Sequence, residues 1–534
     1  MKQKTIQLFS LLILVCLFAC SQEQRQTKVA KRPNILFAIS DDQSYPYASA
    51  YGTSGVNTPA FDRVAKSGIL FHNAFVAAPQ CSPSRAAILT GKNIWQLEEA
   101  GTHSSYFPKK FTVFTDLLKD NGYKTGYTGK AWGPGNFKDA GWENNPVGKA
   151  YDEFKYKEKV NDGYSSTNYF ANFEAFFNER NPDEPFFFWY GGYEPHRRYQ
   201  YNSGVEAGKK LEDVMRPGFL PEDSVILTDI ADYTFEIEWF DNHLGKMLDL
   251  LEAKGELENT IVIVTSDNGM PFPYAKANLE ELGTHIPLAI AWPNKWKGDR
   301  QTDALASLTD IAPTLLGATG LTIPDDMSGK SMLPLLEEDK TYREFVYTGR
   351  ERHTHARPDN LGYPARAIRS GEYLYIRNFK PERWPAGDPA PEGVDITEDS
   401  HFMPFGIGFN DIDDSPSKSY VYEHQQEFPE AYQFAFEKRP EEELYHITND
   451  PYCLKNLASE VDLDAIKEKL SSQLDKVLLE EQDPRMLGNG DIFECYPRFA
   501  SMRKYSGFNK SGTYNKAYLP KDESADTISS SLSN

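Results

Sequence analysis

Two short polar runs could hold a metal ion, Asp41-Asp42 and Asp267-Asn268. Carboxylate and amide oxygens are the ligands that calcium and magnesium prefer, and they suit zinc poorly. One pair of loop carboxylates is weak support, since most such residues are simply solvated. Because both runs follow strongly apolar stretches, the two together predict one site for a hard divalent cation.

Cys81 begins a third group, Cys81-Ser82-Pro83-Ser84-Arg85. Arg85 follows the cysteine by four residues, a helical spacing that directs the guanidinium back toward the same site. Taken alone, the thiol is either a small buried side chain before a helix or a group with a chemical role.

Secondary-structure elements must bring these residues together. Three apolar runs are typical of strands: 35–39, 186–190 and 260–264. They lead into Asp41-Asp42, Glu194-Pro195-His196 and Asp267-Asn268-Gly269. Strand-like and helix-like segments alternate over 33–340, which indicates parallel βαβ units. Because ligands bind outside the carboxyl ends of the strands in such sheets, the three polar groups should converge on one active site.

The rest of the chain divides into further predicted elements. A helix at 114–121 is followed by the run 123–127 and then by Gly129-Lys130, and a longer helix covers 230–253. After residue 340 we expect antiparallel strands at 345–348 and 367–375, a proline-rich insertion at 381–393, and an amphipathic helix. That helix buries one stripe: Leu463, Ile466, Leu470, Leu474, Val477 and Leu478. The predicted domains are a catalytic domain, 33–340, a smaller one, 341–515, and a disordered polar tail, 516–534.

Size and charge limit the classes of function. The chain has 534 residues, 40% of them hydrophobic, enough for a large core and a satellite domain. Its net charge of -21 argues against nucleic-acid binding. An anionic substrate would need a local cationic cleft, for which 196–198 and 350–357 are basic candidates.

The N-terminus is predicted to direct export. Lys2 and Lys4 precede an apolar run that is too short to span a membrane comfortably. Leu17-Phe18-Ala19-Cys20 resembles the lipobox of bacterial lipoproteins, so residues 1–20 would be a signal peptide, Cys20 the acylated anchor and 21–32 a tether. An ordinary cleaved signal is the alternative. Both place the protein outside the cytoplasm, in the periplasm or at the cell surface.

The cysteines do not form a disulfide framework. Cys16 and Cys20 lie in the signal, which leaves Cys81, Cys453 and Cys495. Cys453 and Cys495 could pair or could be small buried side chains.

The run from Cys81 to Arg85, with Leu89-Thr90-Gly91 after it, resembles the signature of the type I sulfatases. The resemblance extends from Arg32-Pro33-Asn34 to Asn449-Asp450-Pro451. It implies an α/β, alkaline-phosphatase-like fold with a large, mainly parallel sheet and a smaller C-terminal α+β subdomain. It also implies that a maturation enzyme converts Cys81 to formylglycine (3-oxoalanine), whose hydrate attacks sulfur. A second hydroxyl on that carbon can then expel sulfate, which a serine ester cannot do.

The same resemblance assigns roles to individual residues. Calcium would be bound by Asp41, Asp42, Asp267 and Asn268, with modified Cys81 as a further ligand, and would neutralise sulfate oxygens. Four more residues match catalytic positions: Arg85 holds the aldehyde hydrate, Lys130 grips the nucleophile or the sulfate, Lys276 contacts a sulfate oxygen, and His196 donates a proton to the leaving oxygen.

Within the family, the runs at 265–273 and 363–366 look most like the heparan N-sulfatase (sulfamidase) branch, which includes bacterial polysaccharide-degrading relatives.

One position departs from the family pattern. The family usually has a histidine two residues beyond the first lysine, where this chain has Trp132, whose indole cannot abstract a proton. Three replacements stay open: His103, His285, or a lysine while Trp132 stacks on a sugar.

Three residues of the smaller domain, His353, His355 and Arg357, are further substrate-binding candidates, with a solvated loop as the alternative for each.

The sequence thus predicts a sulfatase that acts on the ends of oligosaccharides from a sulfated polysaccharide, either algal (ulvan, carrageenan) or a glycosaminoglycan. Three alternatives remain: an N-sulfoglucosamine sulfohydrolase, a phosphodiester or phosphonate hydrolase of the same superfamily, and an inactive glycan-binding lipoprotein. All but the last require that the Cys81 side chain lies beside the oxygen ligands and within reach of a solute.

Overall fold

Eight strands form the central sheet of the computed structural model, which describes residues 31–389, 408–503 and 505–519. They are β1 (Asn34–Ser40), β2 (Ile69–Phe75), β3 (Lys124–Gly129), β4 (Lys149–Ala150), β5 (Phe186–Gly191), β6 (Thr260–Ser266), β7 (His285–Ala291) and β8 (Arg300–Ser307). Across the sheet the order is β4-β3-β5-β1-β6-β7-β2-β8. Only the pairs that β7 forms with β6 and β2 are antiparallel, which confirms the mainly parallel sheet.

Helices cover both faces of this sheet. The first nine are α1 (Pro59–Ser67), α2 (Cys81–Thr90), α3 (Phe114–Asp120), α4 (Tyr169–Glu179), α5 (Ser203–Glu206), α6 (Ser224–Ala253), α7 (Glu281–Thr284), α8 (Ile311–Ala318) and α9 (Leu333–Glu338). On one face, Ile35 and Phe37 of β1 belong to the same core as α2, α3 and α8. On the other, Leu36 and Ala38 pack with α1, α4 and α6. Because both faces are buried, β1 is apolar along nearly its whole length.

A second, four-stranded sheet lies in the C-terminal part. Its strands are β9 (Val346–Arg350), β10 (Ala365–Arg369), β11 (Tyr373–Asn378) and β12 (Glu442–His446), ordered β12-β11-β10-β9 and all antiparallel. The remaining helices are α10 (Pro416–Glu423), α11 (Pro429–Phe436), α12 (Asp464–Glu480) and α13 (Ile492–Cys495). As predicted, α12 packs against β10 and β11, with Leu470, Leu474 and Leu478 buried.

Two predicted elements differ in their bounds. Helix α6 begins six residues before the predicted start, because Asp223 caps it and accepts a hydrogen bond from the Val225 amide at 2.8 Å. The tract 367–375 holds parts of two strands, since a turn at 370–372 separates β10 from β11.

Several predictions fall partly or wholly outside the described residues. These are the signal peptide with Cys20, the tether up to residue 30, residues 390–393 of the proline-rich insertion, and the tail from 520. The start of the predicted tail forms a 3₁₀ turn, Lys516–Tyr518. Within the described ranges, no helix combines the length and the apolar character that crossing a membrane requires.

Candidate active site

The carboxyl ends of β1 and β6 bring the two acidic runs together. The strands are parallel neighbours in which Ser40 lies beside Ser266, so Asp41 and Asp267 leave the sheet side by side. The Asp267 amide donates to the Ser40 carbonyl at 3.2 Å, and the Asp42 amide donates to Asp267 Oδ1 at 3.1 Å. The predicted convergence of these two runs is confirmed.

A left-handed residue lets two consecutive carboxylates serve one site. Neighbouring side chains on a strand point to opposite faces. Asp42 has φ 73°, a conformation that aspartate tolerates better than most residues, and it breaks this alternation. Both Asp41 Oδ1 and Asp42 Oδ1 therefore approach Cys81 Sγ, at 3.4 and 3.9 Å.

Cys81 is the first residue of α2, after the extended Gln80. Its sulfur and one oxygen each from Asp41, Asp42 and Asp267 all lie within 4.8 Å of one another, and all four residues are buried. The amide of Asn268 donates to Asp42 Oδ1 at 2.7 Å.

The same group of residues fits a hard cation. Asn268 Oδ1 is buried and has no hydrogen-bond partner among the described residues. A buried polar atom without a partner costs about 1–3 kcal/mol, so such atoms usually have a ligand. This oxygen and the three carboxylates form an all-oxygen donor set of the kind calcium takes.

Three cations surround the carboxylates. Arg85 Nε donates to Asp267 Oδ2 at 2.7 Å, Lys130 Nζ lies 2.5 Å from Asp41 Oδ2, and Lys276 Nζ lies 2.6 Å from Asp42 Oδ2. Burial alone would lower the pKa of either lysine, but the facing carboxylates outweigh it and keep both ammonium groups charged. Arg85, Lys130 and Lys276 therefore lie where an anionic substrate group could be held.

The electrostatics disfavour a thiolate at Cys81. Burial and the charge of Asp41 raise the pKa of this thiol well above its usual value, more than Lys130 and Lys276 lower it. The thiolate is the nucleophilic form of cysteine, so the unmodified side chain is a poor nucleophile here.

A cleft of about 700 Å³ opens in front of this cluster. Asp41, Lys130 and His196 line it, and His196 Nε2 lies 3.8 Å from Asp42 Oδ2. Cys81 is only 1% exposed and Asp41 is fully buried, so in this conformation a solute meets Lys130 and His196 before it meets the sulfur. The prediction that the thiol lies beside the oxygen ligands is confirmed, whereas the prediction that a solute can reach it is not met in this conformation, because Lys130 and His196 lie between the sulfur and the cleft.

Trp132 forms part of the wall of this cleft and is 3% exposed. Its indole N–H donates to the Ser82 carbonyl at 3.1 Å, and its ring meets Phe107 edge-on. The hydrogen bond ties the wall to the first turn of α2, so Trp132 helps to position the helix that carries Cys81.

The two histidines proposed to replace the missing one have different surroundings. His285 lines another cleft, with both ring nitrogens occupied by Glu281 Oε2 at 2.9 Å and the His72 carbonyl at 2.8 Å. The fold therefore does not bring His285, one of the predicted replacements, to the cluster around Cys81.

His103 is buried, and its Nδ1 faces the His353 carbonyl at 3.1 Å. Burial, then His353 and Arg498, and then Lys276 and Lys130 lower the pKa of His103 well below its usual value. The lowered pKa favours the neutral ring, whose Nδ1 also lies 3.5 Å from Arg498 Nη1.

The three candidates that follow β9 are buried rather than solvated. His353 Nδ1 lies 3.6 Å from Asp411, His355 Nδ1 accepts from the Arg503 amide at 2.7 Å, and Arg357 Nη1 lies 2.8 Å from Asp411. The guanidinium of Arg357 also donates to the Trp384 carbonyl at 3.0 Å, so it is occupied within the fold.

Sequence reasoning missed Asp413 and Tyr193. Asp413 Oδ2 lies 3.2 Å from Lys276 Nζ, and this ammonium holds the pKa of Asp413 below its usual value even though burial raises it. Tyr193 lines the cleft with 44% of its surface exposed. The acidic run 411–414 and the position of Tyr193 three residues before His196 were the available signals.

Cys453 and Cys495 are buried thiols, and no disulfide joins any two of the described cysteines.

Comparisons with known proteins agree with this geometry. Residues 33–321 match the sulfatase family, and residues 273–387 match the C-terminal region of N-sulphoglucosamine sulphohydrolase. The first match covers more than half of the chain. The mainly parallel α/β sheet, with an acidic cluster at its carboxyl edge that could hold a cation, has the alkaline-phosphatase-like fold. Within that fold class, the chain belongs to the sulfatase family and is a sulfuric ester hydrolase.

Curated relatives extend over most of the chain. An ulvan-active sulfatase of Formosa agariphila is 29% identical over 460 residues, covering 84% of this chain and 80% of the relative. Human N-sulphoglucosamine sulphohydrolase is 27% identical over 502 residues, covering 87% of this chain and 93% of the relative.

Solved structures share the fold. One is a protein solved in complex with its substrate D-glucosamine-2-N,6-O-disulfate. Its TM-score to this chain is 0.59 at 20% sequence identity, and the match covers 85% of this chain and 99% of that protein's chain.

Proposed function

We propose that this sulfatase removes sulfate groups from oligosaccharides of a sulfated polysaccharide, with Cys81 matured to formylglycine and calcium bound by Asp41, Asp42, Asp267 and Asn268. One observation carries the proposal: Cys81 begins α2 inside the carboxylate cluster, where its own thiolate is disfavoured. A maturation enzyme would have to act on Cys81 before this site could work.

Formylglycine would provide a hydrated aldehyde as nucleophile, and calcium would offset charge on the sulfate oxygens. The residues around them hold and orient. Arg85 bridges Asp267 and the backbone carbonyls of 130 and 131, so it fixes one side of the site. Lys130 lines the cleft, and Lys276 is buried with 3% of its side chain exposed. Both would exchange part of their contact with the carboxylates for sulfate oxygens.

His196 is the proton donor to the leaving oxygen in this proposal. It lines the cleft with 36% of its side chain exposed, and its Nε2 is the atom that faces the carboxylate cluster. For the proton on the nucleophile, the neutral His103 is a better candidate than His285, which lies in another cleft.

Charge balance favours a monoanionic group. Asp41, Asp42, Asp267 and Asp413 face Arg85, Lys130 and Lys276, which leaves one formal negative charge in the described site. A divalent cation would reverse this to one positive charge, which matches a sulfate ester.

The cleft also suits a sugar. Tyr127, Tyr164 and Tyr193 line it, and the exposed ring of Tyr193 offers a flat apolar surface beside the polar groups. The relatives named above act on ulvan or on N-sulfoglucosamine, which supports sulfated glycans as the substrate class.

We also place the protein outside the cytoplasm, anchored through an acylated Cys20, on the strength of its lipobox-like N-terminus. Fractionation tests this: Cys20→Ala should move the protein from the membrane to the soluble or secreted fraction, and an unchanged membrane fraction would refute the anchor.

The central experiment is production in a host with a sulfatase-maturating enzyme, followed by peptide mass spectrometry over residue 81. We expect oxidation of Cys81 and calcium-dependent release of free sulfate from O-sulfated oligosaccharides, with Cys81→Ala as the folded, inactive control. Oxidised protein that hydrolyses phosphodiesters faster than sulfate esters, or that releases no sulfate from any glycan, would overturn the proposal.

N-sulfate cleavage is a second candidate, favoured by the match of residues 273–387 to the C-terminal region of N-sulphoglucosamine sulphohydrolase. Parallel assays on N-sulfated and 6-O-sulfated glucosamine separate the two, since the true substrate should show the higher kcat/KM.

A further inference from the structure

A second cleft, of about 510 Å³, lies beside β3 and α3 and carries positive charge. Four lysines line it: Lys109, Lys119, Lys124 and Lys149. Two acidic residues, Asp116 and Glu143, also line it, so its formal charge is positive although the whole chain carries -21. We refer to it as the lysine cleft.

Two ammonium groups of the lysine cleft, those of Lys119 and Lys149, are well exposed, while Lys124 is only 15% exposed and lies 3.5 Å from Glu179. Lys119 is exposed and has no ion pair within the described ranges, and Lys149 is 61% exposed, with Glu179 at 3.3 Å and the centre of the Tyr151 ring at 4.7 Å. Lys109 Nζ lies 3.5 Å from the centre of the Trp142 ring and 3.1 Å from the half-exposed Asp116. Exposed ion pairs contribute only about 0–1 kcal/mol, so an incoming anion would displace them at little cost.

The lysine cleft adjoins the active-site cleft. Asn145 lines both. Its Oδ1 accepts from the Trp132 amide at 3.2 Å and its Nδ2 donates to the Trp132 carbonyl at 2.8 Å, so the two residues form a shared wall.

We propose that the lysine cleft binds an anionic sugar unit of the same glycan whose sulfate is cleaved in the neighbouring cleft. The inference rests on the proposed function and adds a second contact for longer substrates. Lysine suits this role because its charge sits on a flexible stem and accepts sulfate or carboxylate in many geometries. It also answers a physical difficulty, since a chain of charge -21 otherwise repels a polyanion.

The kinetic test compares matched charge changes. Lys119→Gln with Lys149→Gln removes two exposed ammonium groups from the lysine cleft, and Lys254→Gln with Lys469→Gln removes two exposed ones elsewhere. With a sulfated oligosaccharide of eight or so units, we expect the first pair to raise KM by about 5-fold, equivalent to about 1 kcal/mol. A sulfated monosaccharide should show no change, and the control pair should resemble wild type on both. An equal KM for both pairs on the long substrate overturns the proposal.

A binding assay keeps the test independent of catalysis. In the Cys81→Ala background, affinity electrophoresis with a sulfated polymer and with a sulfate-free polyuronate shows which anionic group the lysine cleft takes. Retention of the protein by the polymer should fall when Lys119 and Lys149 are both substituted, and it should stay unchanged in the control double variant. If wild-type enzyme releases no sulfate, the proposed function fails, and equal retention of both pairs then refutes the lysine cleft separately.

Discussion

Asn268 Oδ1 is the atom that most directly indicates a missing ligand, since it is buried without a partner while the amide of the same side chain holds Asp42. We expect Asn268→Ala to weaken calcium binding by at least about 10-fold, because one oxygen ligand is lost and Asp42 loses its orienting hydrogen bond. Calorimetric titration of metal-free protein measures this. An unchanged calcium affinity would place the ion elsewhere.

Trp132 can be tested with an aromatic replacement. Trp132→Phe keeps an apolar ring in the wall but removes the N–H that reaches the Ser82 carbonyl, at a cost of about 1 kcal/mol in unfolding free energy. We expect kcat to fall because α2 is held less firmly without this hydrogen bond. The KM for the sugar should stay constant, because the ring is nearly buried. A several-fold rise in KM at constant kcat would instead show that Trp132 stacks on substrate.

For individual residues, type and position predicted the carboxylate cluster around Cys81 but not the partners of each side chain. Asp41, Asp267 and Cys81 were predictable because strand ends and a helix start fix where they point. The surroundings of Arg357 and His285 were not, since Asp411 and the His72 carbonyl reach them through tertiary contacts. Asp413 was missed for the same reason: it pairs with Lys276, 137 positions earlier.

Among the elements, a buried ion network ties α12 to the second sheet. Arg366 of β10 lies 2.7 Å from Asp483, just after α12, and 2.8 Å from Glu351, and all three are fully buried. Arg366→Met leaves Asp483 as an uncompensated buried charge, so we expect a loss of about 3–5 kcal/mol in denaturant unfolding.

A second substitution should reverse much of that loss. Adding Asp483→Leu removes the stranded carboxylate, while Glu351 keeps Arg485 at 2.6 Å. Lys476→Met, which breaks the exposed pair with Glu480, is the control and should cost under about 0.5 kcal/mol. If Arg366→Met behaves like this control, the network does not stabilise the junction.

The loop after β9 gives the protein a pH dependence. Burial, and then Arg498 and Arg503, lower the pKa of His355 from 6.5 to about 3. A lowered folded pKa means that the neutral ring contributes stability above about pH 6.5, which is lost progressively as the pH falls toward 3. His355→Asn keeps an acceptor for the Arg503 amide but cannot titrate.

We therefore expect the unfolding free energy of wild type to fall more than that of His355→Asn between pH 6.5 and 3, by on the order of 4 kcal/mol. Urea melts at several pH values measure the difference. Parallel curves for the two proteins would contradict the assignment of a buried neutral ring.

The elements themselves were largely predictable from apolar pattern. β1, β5 and β6 stand out because both faces are buried, and α12 because one stripe is. The start of α6 was misjudged because its first turn is capped by Asp223 ahead of the apolar stripe. The antiparallel direction of β7 could not be read from its residues, since strand direction depends on the connection that precedes it.

On the scale of the whole molecule, charge is distributed unevenly. The chain carries -21, while the lysine cleft is positive and the neighbouring active site would become positive once calcium is bound. A polyanionic substrate therefore meets repulsion at long range and attraction only near the site. Composition predicted the first property, and only the fold shows where the second is concentrated.

This distribution predicts an unusual dependence on salt. The Debye length falls from about 30 Å at 0.01 M to about 10 Å at 0.1 M, which screens the distant charge more than the contacts inside the clefts. We expect kcat/KM for a sulfated oligosaccharide to rise about 2- to 5-fold over this range of NaCl, at saturating calcium. Near 1 M it should fall again, because the local contacts weaken as well. A sulfated monosaccharide, with its single charge, should vary much less, and it serves as the control for direct effects of salt on catalysis. A steady decline of kcat/KM from the lowest salt onward would mean that local attraction outweighs the overall negative charge even at long range.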